Sequence, residues 1–576
     1  SPNLNLRVAI AGDYYRMDET RYRPSQGFLA EKEAIRSSAA AKSYELMLLN
    51  ENTLNYTKTF KGDKQKLDAT IGSAYQTTEQ DAKTAVYINA PSDLFSGITS
   101  IGNTGGSNPA TDPNIDTVMS FSPNWKLMSF FATAQYSFKE KYILGINFRA
   151  DGSSRFATNH RWGYFPGAAA AWRISKESFL QNSKIISDLK LRASFGISGN
   201  QEVGYYNAFN SLISAPYNRS SAIRIGILGN PDFQWENTLQ GNIGIDAAFF
   251  GNRLGLTIEG YRRRTNHLYN TIKLPGVSGF DNYAVSEGTV RNYGVELTLT
   301  GKVLDGAFGW QANIIAAYNK NKILSMPGKL LPVINYGSYS GYQQAGTAIG
   351  AFYGYNATGV YSRTSEVTLK NGVNNTNPFQ GGDIIFEDVD KNGIIDEGDQ
   401  KVIGNSNPDF FGGFSNIFSY KGFDLDVFID FAEGNEVFNA HRALLESMSN
   451  YDNQSTTINN RWRNQGDVTE MPRLLHGDLV GNARFSSRWI EDGSYLRFKA
   501  ITLGYNFPLK GSLKSVFKTA RVLVTAQNLY TFSKNGSRYK GYSPEVADVS
   551  NPIMYGVDNG NTPQLRTFLL GVRLGL

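Results

Sequence analysis

Hydrophobic residues recur at every second position in short stretches along the whole chain. The clearest stretch closes the sequence, where Phe568, Leu570, Val572, Leu574 and Leu576 occupy every second position, and the small or polar Thr567, Gly571, Arg573 and Gly575 fall between them. A period of two is that of a β-strand, whose successive side chains point to opposite faces. In a soluble sheet the apolar face needs a second layer over it, whereas a strand of a transmembrane barrel can turn that face toward lipid. The pattern therefore indicates an all-β protein of one of these two kinds.

Sixteen stretches show this period, and each of them predicts one strand. Between Phe498 and Ile501 the apolar positions shift by one, as they do at a β-bulge, where one strand carries an extra residue. The predicted strands cover residues 4–10, 44–60, 66–75, 130–138, 142–148, 164–174, 189–197, 239–249, 254–259, 295–300, 310–318, 411–420, 423–431, 495–507, 521–530 and 568–576.

The connections between the predicted strands alternate between short and long. Turns such as Gly251 with Asn252, and Lys421 with Gly422, alternate with long connections near residues 17–40, 79–124, 200–232, 323–409, 437–489 and 533–563. Short turns on one side and long loops on the other are typical of outer-membrane barrels, whereas a soluble sandwich or propeller has no reason to sort its loops. We therefore expect residues 1–576 to form a transmembrane antiparallel β-barrel of about sixteen strands with long extracellular loops.

Composition and motifs narrow the possible functions. No segment approaches the roughly 18 consecutive apolar residues of a membrane helix. The net charge of +6 is spread along the chain without a basic run, which argues against a nucleic-acid partner. The chain has no Cys and only four His, and it lacks the HExxH, GxSxG and Walker-type patterns. These features predict that the protein is not an enzyme.

The sharpest chemical motif lies in the longest predicted connection, within residues 383–403. Counted from Asp388 as position 1, side chains that carry oxygen occupy positions 1, 3, 5, 9 and 12. They are Asp388, Asp390, Asn392, Asp396 and Asp399. Gly393 at position 6 permits a sharp turn, and Ile394 at position 7 offers its backbone carbonyl, which completes the spacing of an EF-hand calcium loop.

We expect this loop to bind a structural calcium ion. The flanks at 384–386 and 401–403 have the pattern of strands in place of the two EF-hand helices. Asp399 stands where a longer glutamate usually binds through both oxygens, so a modest affinity is expected. The alternative is an acidic, solvated turn without a metal.

Aromatic and amide side chains also cluster on this connection. Tyr336, Tyr339 and Tyr342 lie close to Asn335 and Gln343. Aromatic faces and amides together can bind sugar rings or extended peptides, which makes the three tyrosines candidate substrate contacts. Packing among the loops is the alternative explanation.

Several local motifs together resemble one family, the SusC/RagA-like TonB-dependent transporters of the outer membrane. Each motif is short and weak evidence by itself, but together the motifs are specific for this family. The motifs are residues 151–156 (DGSSRF), 161–166 (RWGYFP), 198–201 (SGNQ), 230–236 (NPDFQWE), 292–296 (NYGVE), 404–410 (GNSNPDF), 420–423 (YKGF), 493–497 (GSYLR), 503–505 (LGY) and 528–529 (NL).

The resemblance implies a barrel of about 22 strands that holds an N-terminal plug. It also implies a periplasmic TonB box, a SusD-like surface lipoprotein that closes over the barrel as a lid, and import of oligosaccharides or oligopeptides with energy from the TonB complex. Because only sixteen strands are predicted, we expect the plug, the TonB box and the first barrel strands outside this chain, on a separate polypeptide or in another part of the same one. The expected location is the outer membrane of a Gram-negative bacterium.

Two other functions remain open at the level of sequence. Sixteen strands can close alone around an aqueous pore, which would make the protein a passive, porin-like diffusion channel. A surface adhesin that uses calcium-stiffened loops is a third possibility. A lid lipoprotein found with bound substrate would favour the importer. Passive salt conductance would favour the porin, and calcium-dependent binding of a partner would favour the adhesin.

Overall fold

The computed structural model describes residues 3–23, 37–60, 62, 64–88, 117–217, 220–328, 330–336, 339–372, 377–511, 514, 516–533, 539–546 and 555–575. Strands dominate these residues. In chain order the strands are β1 Leu4–Arg23, β2 Ser37–Phe60, β3 Gln65–Ile88, β4 Thr117–Phe121, β5 Asn124–Phe138, β6 Tyr142–Ser153, β7 Trp162–Arg173, β8 Ile186–Asn200, β9 Ser211–Tyr217, β10 Ser220–Ile227, β11 Glu236–Phe249, β12 Leu254–Asn266, β13 Tyr269–Lys273, β14 Asn282–Ser286, β15 Thr289–Leu304, β16 Phe308–Ser325, β17 Leu330–Tyr336, β18 Tyr339–Gln344, β19 Ala351–Gly354, β20 Ala357–Val360, β21 Lys370–Asn371, β22 Ile384–Phe386, β23 Ile394–Ile395, β24 Lys401–Asn405, β25 Phe410–Tyr420, β26 Phe423–Glu433, β27 Glu436–Asn439, β28 Ile490–Asp492, β29 Tyr495–Asn506, β30 Thr519–Ser533, β31 Val557–Asp558 and β32 Thr567–Gly575.

Helical structure in the described residues is confined to short connecting pieces. The α-helix α1 spans Ala440–Glu446, and its first turn is capped by Asn439, whose side chain accepts a hydrogen bond from the Arg442 N–H. Short 3₁₀ helices occupy Thr158–His160, Ile174–Lys176, Gly276–Ser278, Thr364–Glu366, Glu397–Asp399, Thr456–Asn460, His476–Asp478 and Ser487–Trp489. None of the helices in the described residues has the length and apolar character that a membrane crossing requires.

The chain divides into two compact units. One contains Ser1–Ala170, Phe195–Thr238 and Tyr269–Ser286, and the other contains Ala171–Ser194, Leu239–Leu268 and Glu287–Leu576. Strands β7, β8 and β11 contribute residues to both units.

The first unit is built on neighbouring antiparallel strands. β1 pairs with β2, β2 with β3, β3 with β5 and β5 with β6, while the short β4 pairs with the far end of β3. An aromatic cluster fills the loops at one end of these strands, where the rings of Phe156 and Trp235 lie 4.6 Å apart. Its buried members are Phe156, Phe165, Val203, Phe233, Trp235 and Ala284.

The second unit is itself a meander of antiparallel strands with long excursions between some of them. The antiparallel order is β12, β15, β16, β25, β26, β29, β30 and β32. The turn between β25 and β26 consists of Lys421 and Gly422, both with positive φ, which is the backbone of a tight two-residue hairpin. That turn fixes the register in which Tyr420 faces Phe423.

The two faces of these strands differ in polarity as the sequence predicts. On β32, Phe568 and Leu570 remain more than 70% exposed, so an apolar face meets the surroundings of the chain. The polar faces of β8, β11 and β12 carry ion pairs, in which Arg192 lies 3.2 Å from Asp246 and 2.5 Å from Glu259. An exposed apolar face together with a charged opposite face suits a strand between lipid and an aqueous interior.

All sixteen predicted strands are present, so the all-β, antiparallel prediction is confirmed. The predicted bulge is confirmed as well, because the register between β29 and β30 shifts between Phe498 and Ala500. The predicted loop at 17–40 was too long, since β1 continues to Arg23 and β2 begins at Ser37. The predicted loops at 200–232 and 323–409 are not irregular throughout, because they contain hairpins such as β9–β10 and β17–β18.

The long connections of the second unit form a hydrophobic core of their own, which we call the loop core. Trp489 is fully buried in it, and its indole N–H donates to the Arg484 carbonyl at 3.2 Å. The loop core consists of Phe352, Phe438, Ala440, Phe485, Trp489 and Val557. A neighbouring cluster around Phe386 and Ile395 supports the acidic loop described next.

Candidate metal loop and ion-pair cluster

The acidic loop is a tight turn between β22 and β24. Lys391 and Gly393 both have positive φ, and the Gly393 position has open space around it. The turn is held from below by Ile395, which is fully buried and pairs with Asn371 where β23 runs parallel to β21. The predicted strand flanks are confirmed, since β22 covers Ile384–Phe386 and β24 covers Lys401–Asn405.

Three carboxylates converge inside this turn. One oxygen from each of Asp388, Asp390 and Asp399 lies within 4.8 Å of the others. Asp399 is fully buried and accepts hydrogen bonds from the Val389 N–H at 2.7 Å and the Asp396 N–H at 2.8 Å. Oxygens bound to one Ca²⁺ at 2.3–2.6 Å lie at most about 5 Å apart, so the three carboxylates fit such an ion.

The other predicted ligands are engaged in the turn itself. Asn392 accepts from the Ile394 N–H at 2.7 Å, and Asp396 accepts from the Gly398 N–H at 2.7 Å while it caps the following 3₁₀ helix. The structure therefore groups three of the predicted carboxylate ligands, Asp388, Asp390 and Asp399, and Asp396 is not part of that group. The metal itself remains a prediction.

A salt bridge closes the base of the turn. The Lys401 ammonium lies 2.6 Å from Glu387, which also accepts from the Asn356 amide at 2.6 Å. The hydrogen bond from Lys401 is the main reason that the pKa of Glu387 lies below its usual value, and Asn356 adds to it.

The predicted aromatic contacts lie on the hairpin β17–β18. Tyr336 faces Tyr339 across its turn, and Tyr342 faces Pro332. At these three tyrosines the structure describes the backbone only, so their role as substrate contacts stays a prediction.

An ion-pair cluster on β26 and β29 was not assigned a role from the sequence. The Arg497 guanidinium binds both oxygens of Asp430, at 3.1 and 2.6 Å, and also contacts Glu545 at 2.7 Å and the Gln564 side chain at 2.7 Å. Its partners come from three separate segments of the chain, and no local spacing connects them. Only an alternation of charge along each strand could have suggested that these side chains share one face.

Glu545, the residue of this cluster that lies on a loop, stays charged. Burial alone would raise the pKa of Glu545, but the hydrogen bond and the positive charge of Arg497 outweigh it, so the pKa lies below its usual value. Nearby, burial and the charge of Glu545 raise the pKa of Tyr555, which keeps its phenol protonated. The charged carboxylate of Glu545 and the neutral phenol of Tyr555 therefore lie near each other.

Comparison with known proteins gives a consistent family. The family model described as TonB dependent receptor-like, beta-barrel, matches residues 1–529. The TonB-dependent receptor P3 of Formosa agariphila is 31% identical over 546 residues, which cover 91% of this chain and 52% of that protein. The TonB-dependent receptor SusC of Bacteroides thetaiotaomicron is 30% identical over 480 residues, which cover 78% of this chain and 43% of that protein.

A solved structure agrees at the level of the fold. The RagAB peptide transporter structure superposes with a TM-score of 0.83 at 24% identity, covering 100% of this chain and 60% of the solved chain. The chain spans about half the length of the curated relatives it matches.

Proposed function

This chain belongs to the family of TonB-dependent receptor-like β-barrels of the outer membrane, and from this we propose that it is the barrel part of a SusC/RagA-type importer. In that role it takes up a nutrient oligomer, an oligosaccharide or an oligopeptide, and moves it across the outer membrane without changing it chemically. No reaction is assigned to it.

The observation that carries the proposal is the division of the strands into two faces. Apolar side chains such as Leu570 are exposed on one face, and ion pairs such as Arg192 with Glu259 occupy the other. A charged face is costly in lipid and well solvated in an aqueous lumen. This arrangement supports a water-filled path lined by polar groups.

The partners follow from the proposed role. A SusD-like lipoprotein would cover the loops as a lid, and the TonB complex would supply energy through a plug-bearing N-terminal segment. The solved relative with the same fold is described as a peptide transporter, which supports an oligopeptide at least as well as a glycan.

Uptake by cells tests the proposal. Cells that carry the full-length protein should accumulate a fluorescent oligopeptide or oligosaccharide, and removal of TonB should abolish the accumulation. A mass-spectrometric inventory of the complex extracted in mild detergent should find the plug and the lipoprotein. Uptake that persists without TonB, together with steady salt conductance in planar bilayers, would replace the importer with the passive, porin-like channel.

We also propose that the acidic loop binds calcium, which would stiffen it. The support is the convergence of Asp388, Asp390 and Asp399 within 4.8 Å. Calcium titration should show binding that Asp390→Ala weakens strongly and that Asp396→Ala weakens less, because Asp390 is one of the three converging carboxylates and Asp396 is not. Unchanged binding in both variants would refute the site.

Tyr336, Tyr339 and Tyr342 remain proposed substrate contacts. Replacing all three by alanine should weaken cargo binding without changing the fold, if their rings stack on the cargo. A change in folding yield alone would instead indicate packing among the loops.

A further inference from the structure

A cavity of about 630 Å³ lies in the second unit at the loop end of β25, β26 and β29. Its strand wall includes Asp430 and Tyr495, and its loop walls include Ser406, Asn435, Glu545 and Tyr555. The β25–β26 turn is at the opposite end of these strands, so the cavity is on the side of the long connections. Its volume suits one or two residues of an oligomer.

Two residues that line this cavity each carry a buried side-chain oxygen without a hydrogen-bond partner in the described part of the chain. These oxygens are Ser406 Oγ, in a residue 1% exposed, and Asn435 Oδ1, in a residue 8% exposed. Ser406 is held in place because its N–H donates to the Gly350 carbonyl at 3.0 Å. Gly350 approaches it so closely that an added Cβ would lie only 2.4 Å from the Ser406 Oγ. A buried polar atom without a partner is unfavourable, so a donor supplied by a ligand would complete this wall.

The charged side chains that line the cavity in the described residues are negative. Asp430 and Glu545 are the charged residues among the described residues that line the cavity. Behind them, Arg497 contacts both carboxylates and is itself 2% exposed. Two carboxylates thus share one guanidinium, so Arg497 alone leaves one of the two negative charges unbalanced.

The lining also limits the chemical class of the ligand. The described walls offer oxygen acceptors on Ser406, Asn435 and Glu545, together with apolar surface from Val437 and Val546. An anionic group would meet two carboxylates and would be repelled. A neutral sugar could donate its hydroxyls but would leave the negative charge unbalanced, whereas an ammonium group on an aliphatic stem satisfies acceptors, charge and apolar surface together.

We propose that this cavity binds a primary ammonium group of the imported cargo, which makes a cationic oligopeptide the class of ligand it takes. The inference rests on the import function proposed above. The ammonium donates to Ser406 and Asn435 and sits beside Glu545, and the methylene stem contacts the valines.

Calorimetric titration of the complex extracted in mild detergent tests the inference with trilysine, triglutamate and maltotriose as probes. Trilysine should bind at least about tenfold more tightly than either other probe, and added salt should weaken it. Ser406→Ala should weaken trilysine binding about threefold to tenfold, and Glu545→Gln should weaken it by more than about tenfold.

Ser486→Ala is the matched control. Ser486 is fully buried and its Oγ also lacks a hydrogen-bond partner in the described residues, but it does not line the cavity. We expect both serine variants to keep the wild-type melting temperature and only Ser406→Ala to lose affinity.

Three results would overturn the inference: trilysine fails to bind, triglutamate binds equally well, or Ser406→Ala and Glu545→Gln both leave the affinity unchanged. If Ser406→Ala weakens maltotriose in place of trilysine, the cavity is a glycan site and the ammonium assignment is wrong. The import function is judged separately, because it depends on the loss of uptake without TonB and not on binding in detergent.

Discussion

Replacing Arg497 by methionine should destabilise the protein more than any exposed arginine substitution. Arg497→Met keeps the length and apolar volume of the side chain but removes the guanidinium that binds Asp430, Glu545 and Gln564. Two carboxylates then face each other without a shared cation, and Gln564 loses a hydrogen bond. The variant therefore tests how strongly this cluster holds β26, β29 and the loop of Glu545 together.

The burial of the partners sets the size of the effect. Removing one partner of a fully buried ion pair costs about 3–5 kcal/mol. The Arg497 side chain is 2% exposed, but Asp430 is 18% and Glu545 is 42% exposed, so both carboxylates regain part of their hydration. We therefore expect a loss near the lower end, about 3 kcal/mol in the free energy of unfolding, most of it from Asp430.

Guanidinium unfolding of the full-length protein in detergent micelles, followed by tryptophan fluorescence, measures this loss. Arg573→Met is the control, because Arg573 is exposed on β32 and its replacement should change stability by less than about 0.5 kcal/mol. In the background of Arg497→Met, Glu545→Gln should cost less than it does alone, since the pair is already broken. A loss below about 1 kcal/mol for Arg497→Met, or one equal to that of Arg573→Met, would refute the reasoning.

Three further predictions concern the loops and the strand contacts. Lys401→Met should lower the melting temperature at pH 7, because it removes the cation that pairs with Glu387. The difference from wild type should vanish as the pH falls through the lowered pKa of Glu387, since Glu387 is charged and paired above that pKa and protonated below it. Trp489→Ala should destabilise the loop core by about 3–5 kcal/mol, seen as faster limited proteolysis of residues 436–490. Gly412→Ala should abolish folding, measured as the heat-modifiable gel band, because its Cβ would lie 2.1 Å from the Ile315 carbonyl.

Each of these has a result that would contradict it. For the pH prediction it is a difference between wild type and Lys401→Met that stays unchanged down to the lowest pH at which both proteins remain folded. For Trp489→Ala it is proteolysis at the wild-type rate. For Gly412→Ala it is a folding yield equal to that of Gly301→Ala, the control, in which the added Cβ meets nothing closer than 3.9 Å.

The alternation of apolar and polar residues was sufficient to locate sixteen strands that the structure contains, but it did not give the residues at which those strands begin and end. β1 continues through Asp18, Glu19 and Arg21 to Arg23, where both faces are polar and the period of two leaves no trace in hydrophobicity. β3 likewise continues past Tyr75 to Ile88 through a polar segment. Backbone pairing with the neighbouring strand holds these ends, and the sequence of one strand does not report its partner.

The candidate sites also differ in how far the sequence could predict them. The convergence of three carboxylates in the acidic loop was predictable because they lie within twelve positions of one another, so local spacing decided which carboxylates meet. The metal itself stays a prediction. The cavity was not predictable, because Ser406, Asn435 and Glu545 come from three connections that only the folded chain brings together. Arg497 was visible as a motif residue, but its partners lie 48 and 67 positions away.

The composition of the loop core has a consequence for the order in which the molecule assembles. Strand pairs such as β25 and β26 join residues that are close in the chain and can form early, because little chain entropy is lost in closing a two-residue turn. The loop core needs Phe352, Phe438, Trp489 and Val557 at once, so it cannot be completed until nearly the whole chain is available. Until then its aromatic side chains are uncovered, which makes this late closure the step at which the nascent protein is most exposed to aggregation and to proteases.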